Sequence, residues 1–297
     1  MSKKLPRYPV YIPSKGRYKQ PYTIKSFQKD EVPIYVVVQP QELELYKEHC
    51  SGPNTTFLTL PFSNPVDEEG NPCGLLATRN WIREHSIEEL GAKRHWQFDD
   101  NCMGFLRYHN GRKIPITADI PLVVAEDFSD QYENVAITGI EYDTFALRGK
   151  VKTPFILNGR VYSASLINNK TGIKWRERYN DDVDICLQAL STGYWCTVLV
   201  RAFVIKKLRT GVVKGGNTDD LYQDDGRNLM ARSLERVWPH TVETKRRFGR
   251  PQHVVAYAWR HFDNPLIRKQ NPNKIPDYGI KLTGTTESKS LKRAMNL

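Results

Sequence analysis

The stretch KRHWQFDDNCMGF, residues 93–105, places two carboxylates and an amide directly after an apolar run of strand length. Asp99 and Asp100 are neighbouring like charges, which cost free energy in a folded site unless water, a cation or a positively charged ligand neutralises them. Carboxylates at the end of a strand can ligate Mg²⁺ or Mn²⁺ while the ion also bridges a diphosphate. The segment is therefore either a metal site or a solvated turn.

Strand and helix patterns alternate on the N-terminal side of this segment. Runs of strand length predict four strands: PVYIPS (9–14), PIYVVVQP (33–40), TTFLTLP (55–61) and RHWQFDDN (94–101). The segments between them predict helices within residues 16–30, 40–50 and 74–91. This alternation predicts an α/β fold with a mainly parallel sheet flanked by helices. Ligands of such sheets bind beyond the carboxyl ends of the strands, so we expect SKGR and FDDN on one rim.

The second half of the chain has a different pattern. It predicts strands within residues 132–147 and 161–168, an acidic helix start followed by a helix and a strand over 179–205, and a further helix within 218–239. We expect residues 1–200 to form the core of the fold. Residues 201–297 are expected to be a basic extension of this core that does not fold independently.

The positive charge of the chain lies in its second half. Residues 1–150 contain 18 Lys and Arg against 20 Asp and Glu, a net of −2, whereas residues 151–297 contain 26 against 13, a net of +13. Such asymmetry suggests a polyanionic partner, with nucleic acid the leading candidate; the alternative is a solvated basic surface. Aromatic side chains are interspersed there, for base stacking or, in most cases, core packing: Trp238, Phe248, Tyr257, Trp259 and Phe262.

Composition narrows the class of protein. The N-terminal MSKKLPRYPVY lacks the apolar segment of a signal peptide, and no segment approaches the roughly 18 apolar residues of a membrane span. The five cysteines are scattered and form no CxxC pair, so neither disulfides nor a zinc site is predicted. We expect a soluble, cytosolic protein.

A second polar motif follows the first predicted strand. In YIPSKGRYKQPYTI, residues 11–24, Ser14, Lys15, Gly16 and Arg17 offer a hydroxyl, an ammonium, close backbone approach and a guanidinium. A nucleotide ribose and phosphate need such groups. The segment matches neither a P-loop nor GxGxxG. The alternative is a plain basic turn.

A third motif, RYNDDVDICLQAL at residues 178–190, crowds Asp181, Asp182 and Asp184 at a helix start. The helix dipole and the free amides stabilise negative charge there. Capping by Asn180 or Asp181 would explain one acid but does not require three. A carboxylate beside a second carboxylate can instead act as a general base towards an acceptor hydroxyl.

Two weaker candidates lie further along. In KGGNTDDLY, residues 214–222, two glycines permit unusual backbone angles beside polar groups, although a capped helix start is the more common explanation. His253 is a candidate contact for a metal or phosphate, although a lone histidine is more often structural.

The order of these motifs resembles GT-A glycosyltransferases, which have a Rossmann-like sheet. More closely, it resembles the phage DNA-modifying glycosyltransferases related to the base J-associated glucosyltransferase. The segments that carry the resemblance are VYIPSKGRY (10–18), ATRNWI (77–82), HWQFDDN (95–101), RYNDDVDICLQALSTGYWC (178–196) and GGNTDDLY (215–222). It implies a UDP-sugar donor, Mn²⁺ or Mg²⁺, and an acceptor hydroxyl on a modified pyrimidine in DNA, with the sugar either glucose or arabinose.

The resemblance also assigns roles to residues. It implies that Asp99 contacts the nucleotide or ribose, that Asp100 holds the metal with Asn101 as a further candidate ligand, and that Asp182, or alternatively Asp181, is the base of an inverting transfer. His253, chosen from the residues themselves, is added as a candidate metal ligand. The resemblance makes residues 1–200 the nucleotide-sugar-binding and catalytic core, and residues 201–297 the part that completes the acceptor site. Asn101 stands where a third acid is frequent, and Asp181–Asp182 where Glu-Asp is common. The donor pocket would comprise Pro13, Ser14, Lys15, Gly16, Arg17, Arg79 and Asp99. The acceptor side would comprise Lys214, Gly216, Asn217, Thr218, Asp219, Arg246 and Arg247.

Other functions remain compatible with acids beside a basic surface. A metal-dependent nuclease would cleave DNA without a sugar donor. A non-catalytic DNA-binding protein would not need Asp100 or Asp182. A glycosyltransferase acting on protein or polysaccharide would explain the acids but not the basic second half.

Overall fold

The computed structural model describes residues 4–109, 111–147, 151, 153–208, 214–216, 226–247, 249–256 and 259–271. The strands formed by these residues are β1 Val10–Pro13, β2 Ile34–Val38, β3 Thr55–Thr59, β4 Arg94–Phe98, β5 Cys102–His109, β6 Arg112–Ile116, β7 Val135–Tyr142, β8 Phe155–Leu157, β9 Ala164–Asn168, β10 Cys196–Lys207, β11 Val242–Arg247 and β12 Arg250–Val255. The α-helices are α1 Tyr22–Lys29, α2 Leu43–Cys50, α3 Leu76–Glu88, α4 Asp119–Ser129, α5 Asp181–Leu190 and α6 Gly226–Val237.

The first ten strands form one sheet in the order β3-β2-β1-β4-β9-β7-β10-β5-β6, with β8 paired to β10. The first four strands of this order pair in parallel, as the alternation of strands and helices predicts. Every residue of β1 and β4 is buried, as expected for parallel strands covered by helices on both faces. The predicted α/β fold is confirmed: the sheet is mainly parallel and GT-A-like.

Antiparallel pairs complete the sheet. Strand β9 lies antiparallel between β4 and β7, and β10 runs parallel to β7. The ends of β1, β4, β7 and β10 therefore share one rim of the sheet with the start of β9. The SKGR and FDDN motifs lie at this rim.

The sequence patterns do not predict β5, β6 and α4. Strand β5 has no clean alternation of buried and exposed residues, and most of β6 is exposed at the sheet edge and includes Pro115. Most residues of α4 are buried, so its sequence lacks the polar stripe of an amphipathic helix.

Aromatic side chains fill the core between the sheet and its helices. The rings of Phe27 and Phe98 lie 5.0 Å apart, and Phe105 packs on Phe27 at 5.7 Å. Trp96 is fully buried, and its indole N–H donates to Glu126 at 3.0 Å. All five cysteines are free, which agrees with the prediction of no disulfides.

The C-terminal part of the described chain packs onto the central fold. Leu234 of α6 and Val242 of β11 form one apolar cluster with Val183 and Leu187 of α5. Asn264 donates to the carbonyls of Leu190 and Trp195. Strand β10 runs across position 200, where the predicted domain boundary lies.

The interspersed aromatic residues of the second half are mostly core residues where the structure describes them. Trp238, Trp259 and Phe262 pack around the cluster that joins α5 to α6, whereas Phe248 and Tyr257 lie outside the described residues. None of the helices in the described part of the chain has the length and hydropathy of a membrane span.

Candidate active site

The loops after β1 and β4 meet at the rim, as expected for the carboxyl ends of strands in a parallel sheet. The hydroxyl of Ser14 donates to Asp100 Oδ2 at 2.8 Å and lies 2.7 Å from the hydroxyl of Tyr46. The guanidinium of Arg17 forms an ion pair with Asp100 Oδ1. The serine and the arginine of SKGR therefore both bind the second acid of FDDN.

Asp99 has different partners. Its Oδ1 accepts from Arg79 at 3.0 Å, and its Oδ2 accepts from Lys207, the last residue of β10, at 2.6 Å. Burial alone would raise the pKa of Asp99, but Lys207 and Arg79 outweigh burial and hold that pKa well below its usual range. The two neighbouring carboxylates are thus neutralised by cations of the chain itself.

Arg79 connects the strand-end acids to the helix-start acids. It lies on α3, and its side chain is 9% exposed. While one nitrogen binds Asp99, its Nε lies 2.6 Å from Asp181 Oδ2. A third guanidinium nitrogen donates to Gln97 at 3.2 Å. One buried guanidinium therefore holds together two acids that are far apart in sequence.

The three acids at the start of α5 have separate environments. Asp182 Oδ2 accepts from Arg160 at 2.9 and 3.1 Å, and its Oδ1 accepts from the amide of Val183 at 2.9 Å. Asp184 is fully buried and accepts from Arg176 and from the indole of Trp238 at 2.7 Å. Asp184 is therefore a structural residue, whereas Asp181 and Asp182 face the rim.

Capping by the Asn180 side chain does not occur, although Asp181 and Asp182 each accept from the backbone N–H of the next residue. Asn180 occupies the N-cap in a left-handed conformation, with φ of 53°, and its side chain makes no capping hydrogen bond. Burial raises the pKa of Asp181 although Arg79 opposes the change, and Asp182 raises it further. Burial likewise raises the pKa of Asp100 against the effect of Arg17. Asp100 and Asp181 therefore accept protons more readily than Asp99.

The predicted metal ligands do not form a ready-made cation site. The described residues contain no group of three or more His, Cys, Asp or Glu side chains that could hold a metal ion. Asp100 already binds Arg17 and Ser14. Asn101 donates to the carbonyl of Leu208 at 3.1 Å, and its Oδ1 is buried without a partner in the described chain. A metal ion at Asp100 would have to compete with Arg17.

His253 lies on β12, opposite Thr244 of β11. Its pKa is lowered by burial and by Arg160, while Asp182 acts in the opposite direction. Its Nδ1 is buried and has no hydrogen-bond partner among the described residues. The structure therefore places His253 within electrostatic range of Asp182, and its predicted role towards a metal stays a prediction.

Residues 214–216 lie against the loop after β1. Arg17 donates to the carbonyl of Lys214 at 3.2 Å and to that of Gly215 at 2.8 Å. Gly215 has φ of +93°, and a Cβ there would lie 3.0 Å from the carbonyl oxygens of Lys15 and Gly16, so the close approach requires glycine. Lys214 and Gly216, predicted on the acceptor side, thus adjoin the predicted donor loop.

Of the remaining predicted acceptor residues, the structure describes only Arg246 and Arg247. Arg246 and Arg247 are exposed at the end of β11, in the hairpin with β12. Asn217, Thr218 and Asp219 lie outside the described residues.

Sequence reasoning missed several residues of the rim. Lys207 also donates to the hydroxyl of Tyr142 at 3.1 Å and to Ser163. Arg160 lies with its Cζ 4.7 Å from the ring centroid of Tyr162. Lys207 could have been recognised in the sequence as a lysine at the end of a long apolar strand. The sequence around Arg160, Tyr142 and Tyr162 contains no pattern that indicates a functional role.

A family model described as TET-Associated Glycosyltransferase matches residues 8–216. The match includes both acid motifs, SKGR and the glycines of residues 215 and 216. No curated protein matches the chain.

Proposed function

This chain belongs to the TET-associated glycosyltransferase family and is a glycosyltransferase; we propose that it moves glucose or arabinose from a UDP-sugar to a hydroxylated or hydroxymethylated pyrimidine in DNA. The observation that carries the proposal is the contact of Arg79 with both Asp99 and Asp181. Through this contact Arg79 joins the strand-end acids, which would bind the donor, to the helix-start acids, one of which would act as the general base.

The donor would bind at the loops after β1 and β4. Pro13 and Ser14 are buried beneath this rim, while Lys15, Gly16 and Arg17 line it. Asp99 would accept from the ribose or base of the nucleotide, and Arg17 and Lys207 are the cations next to where a diphosphate would lie. The predicted dependence on Mn²⁺ or Mg²⁺ stays a prediction, because the carboxylates next to this position are already paired with cations.

In the proposed transfer, Asp182 accepts the proton of the acceptor hydroxyl as its oxygen attacks the anomeric carbon. The bond from that carbon to the diphosphate oxygen breaks, and UDP leaves with the electron pair. Attack on the face opposite the leaving group inverts the anomeric configuration. Asp181 is the alternative base, since burial raises its pKa and so favours proton acceptance.

The proposed DNA surface is the basic second half. Among the described residues, the end of the β11–β12 hairpin exposes Lys245, Arg246, Arg247 and Arg250. The hairpin packs on α6, which shares an apolar cluster with α5. Phosphate contacts on this hairpin would therefore be tied rigidly to the helix that carries Asp182.

Two assays test the proposal. Calorimetric titration of UDP, UDP-glucose and UDP-arabinose, with and without Mn²⁺, measures donor binding by the wild type and by Asp100→Ala. Incubation with each sugar donor and DNA that contains 5-hydroxymethylcytosine, 5-hydroxycytosine or 5-hydroxymethyluracil is followed by mass spectrometry of the nucleosides. Binding of UDP that Asp100→Ala weakens, together with one glycosylated nucleoside, is the expected result.

Absence of UDP binding under every condition would overturn the proposed donor. UDP-sugar binding with no modified nucleoside would instead redirect the acceptor search to protein or polysaccharide. Cleavage of the DNA in the absence of a sugar donor would indicate nuclease activity. Stimulation of UDP binding by Mn²⁺, absent in Asp100→Ala, would support the predicted metal.

A further inference from the structure

Three aromatic rings meet at the rim beside the two acid groups. Tyr142 ends β7, Phe145 follows it in the next turn, and Tyr162 precedes β9. The rings of Tyr142 and Phe145 stack with centroids 5.7 Å apart. Tyr162 lies 4.8 Å from Tyr142 and 5.8 Å from Phe145. We call these three residues the ring cluster.

One ring of this cluster is open to solvent. Phe145 is 53% exposed, although it contacts two other rings. A phenyl face left in water beside packed aromatic rings can add a further planar group by stacking. The ring cluster can therefore accept one more planar group by stacking on Phe145.

Cations connect the ring cluster to both groups of acids. The Nζ of Lys207, which binds Asp99, lies 5.0 Å from the ring centroid of Tyr142. The guanidinium of Arg160, which binds Asp182, lies over Tyr162. Burial raises the pKa of Tyr162 to about 12, so its hydroxyl is neutral at physiological pH. A group stacked here would lie next to the proposed base.

The position of the ring cluster in the sheet separates it from the donor loop. In the order β1-β4-β9-β7, three strand spacings separate β1 from β7, or about 14 Å. The nucleotide-type groups of SKGR follow β1, whereas two of the three rings adjoin β7. The space between the two positions suits a sugar and its diphosphate. The rings are therefore on the acceptor side.

We propose that the ring cluster, through Phe145, is the stacking platform for the acceptor pyrimidine. This inference rests on the proposed function, and it names the acceptor subsite. A pyrimidine inside duplex DNA is inaccessible to a base such as Asp182, so it is extruded or met single-stranded and then needs a replacement for its lost stacking. Phe145 supplies that aromatic face, and the neighbouring Asp182 receives the proton from the hydroxyl substituent of the pyrimidine.

The test uses Phe145→Ala and the conservative Phe145→Tyr. Leu147→Ala is the matched control, because Leu147 follows Phe145 by two residues, is 57% exposed and has an aliphatic side chain that cannot stack as an aromatic ring does. The probe is a single-stranded oligonucleotide with one 5-hydroxymethylcytosine. Phe145→Ala should raise its KM about 5- to 150-fold, the range for loss of one base–aromatic stack. Phe145→Tyr should restore the KM, and Leu147→Ala and the affinity for UDP should stay unchanged.

A second readout is independent of catalysis. The same oligonucleotide with pyrrolocytosine at the acceptor position should lose fluorescence on binding wild type and Phe145→Tyr, and retain it with Phe145→Ala. Retained quenching with Phe145→Ala, or an unchanged KM, overturns the platform. Weakened UDP binding with an unchanged acceptor KM would overturn it too, since the rings would then stack the donor base. If the wild type transfers no sugar, the proposed function fails, and the fluorescence still decides whether a pyrimidine stacks on Phe145.

Discussion

The acidic motifs FDDN and NDDVD look alike in sequence, yet the protein uses their carboxylates differently. In the strand-end motif, Asp99 is held ionised by two cations, while burial favours the protonated form of Asp100. In the helix-start motif, Asp184 is locked into the core and only Asp181 and Asp182 face the rim. Neighbouring acids in a sequence show that charge must be neutralised. They do not show which acid remains available for chemistry.

The largest effect should come from Asp182, the proposed base, whose partner Arg160 lies over Tyr162 of the ring cluster. Asp182→Asn should lower kcat about 10²- to 10⁴-fold, the usual contribution of a general base, and leave the Kd for UDP unchanged. Asp181→Asn should cost less, because it removes only one of the acids bound to Arg79. Steady-state kinetics on a hydroxymethylated oligonucleotide compare the two. A greater loss of kcat in Asp181→Asn would make Asp181 the base.

Asp184→Asn tests the other side of this comparison. The substitution should lower the free energy of unfolding by about 2–3 kcal/mol, less than the ~3–5 kcal/mol for breaking a buried pair, because Arg176 is 47% exposed and can be hydrated. Urea denaturation measures the change. Since Asp184 does not face the rim, kcat at saturating substrates should stay near that of the wild type. Wild-type stability combined with lost activity would contradict its structural role.

The smallest effect concerns pH. The pKa of Asp99 is lower in the folded than in the unfolded chain, so its ion pairs stabilise the fold above about pH 4 and this contribution is lost as pH falls through the folded pKa. Asp99→Asn should therefore be less stable than wild type by about 1.5–3 kcal/mol at pH 6. The difference should shrink on acidification towards pH 3. Chemical denaturation at several pH values measures it, and a constant difference would argue against these ion pairs.

The sequence predicted the part of the fold and site that depends on local pattern. The β-branched run of β2 and the apolar run of β4 identified strands of a mainly parallel sheet, and the rule that ligands bind at the carboxyl ends of such strands placed SKGR and FDDN on one rim. Strand β6 was missed because an exposed edge strand with a proline lacks the expected alternation. Lys207, Arg160 and the ring cluster were missed for another reason. Their significance comes from tertiary partners, and no spacing in the sequence expresses such contacts.

The long-range contacts of this rim also constrain the order of folding. Asp99 and Lys207 are separated by 108 residues, and Arg17 and Gly215 by 198. Contacts of such sequence separation form late, because the entropy cost of closing so long a loop comes before the contact stabilises the fold. During synthesis, β1 to β4 would emerge well before the lysine that neutralises Asp99. A nascent chain that ends at residue 200 would carry the acids of the rim without Lys207, so the donor pocket should be among the last features of the protein to mature.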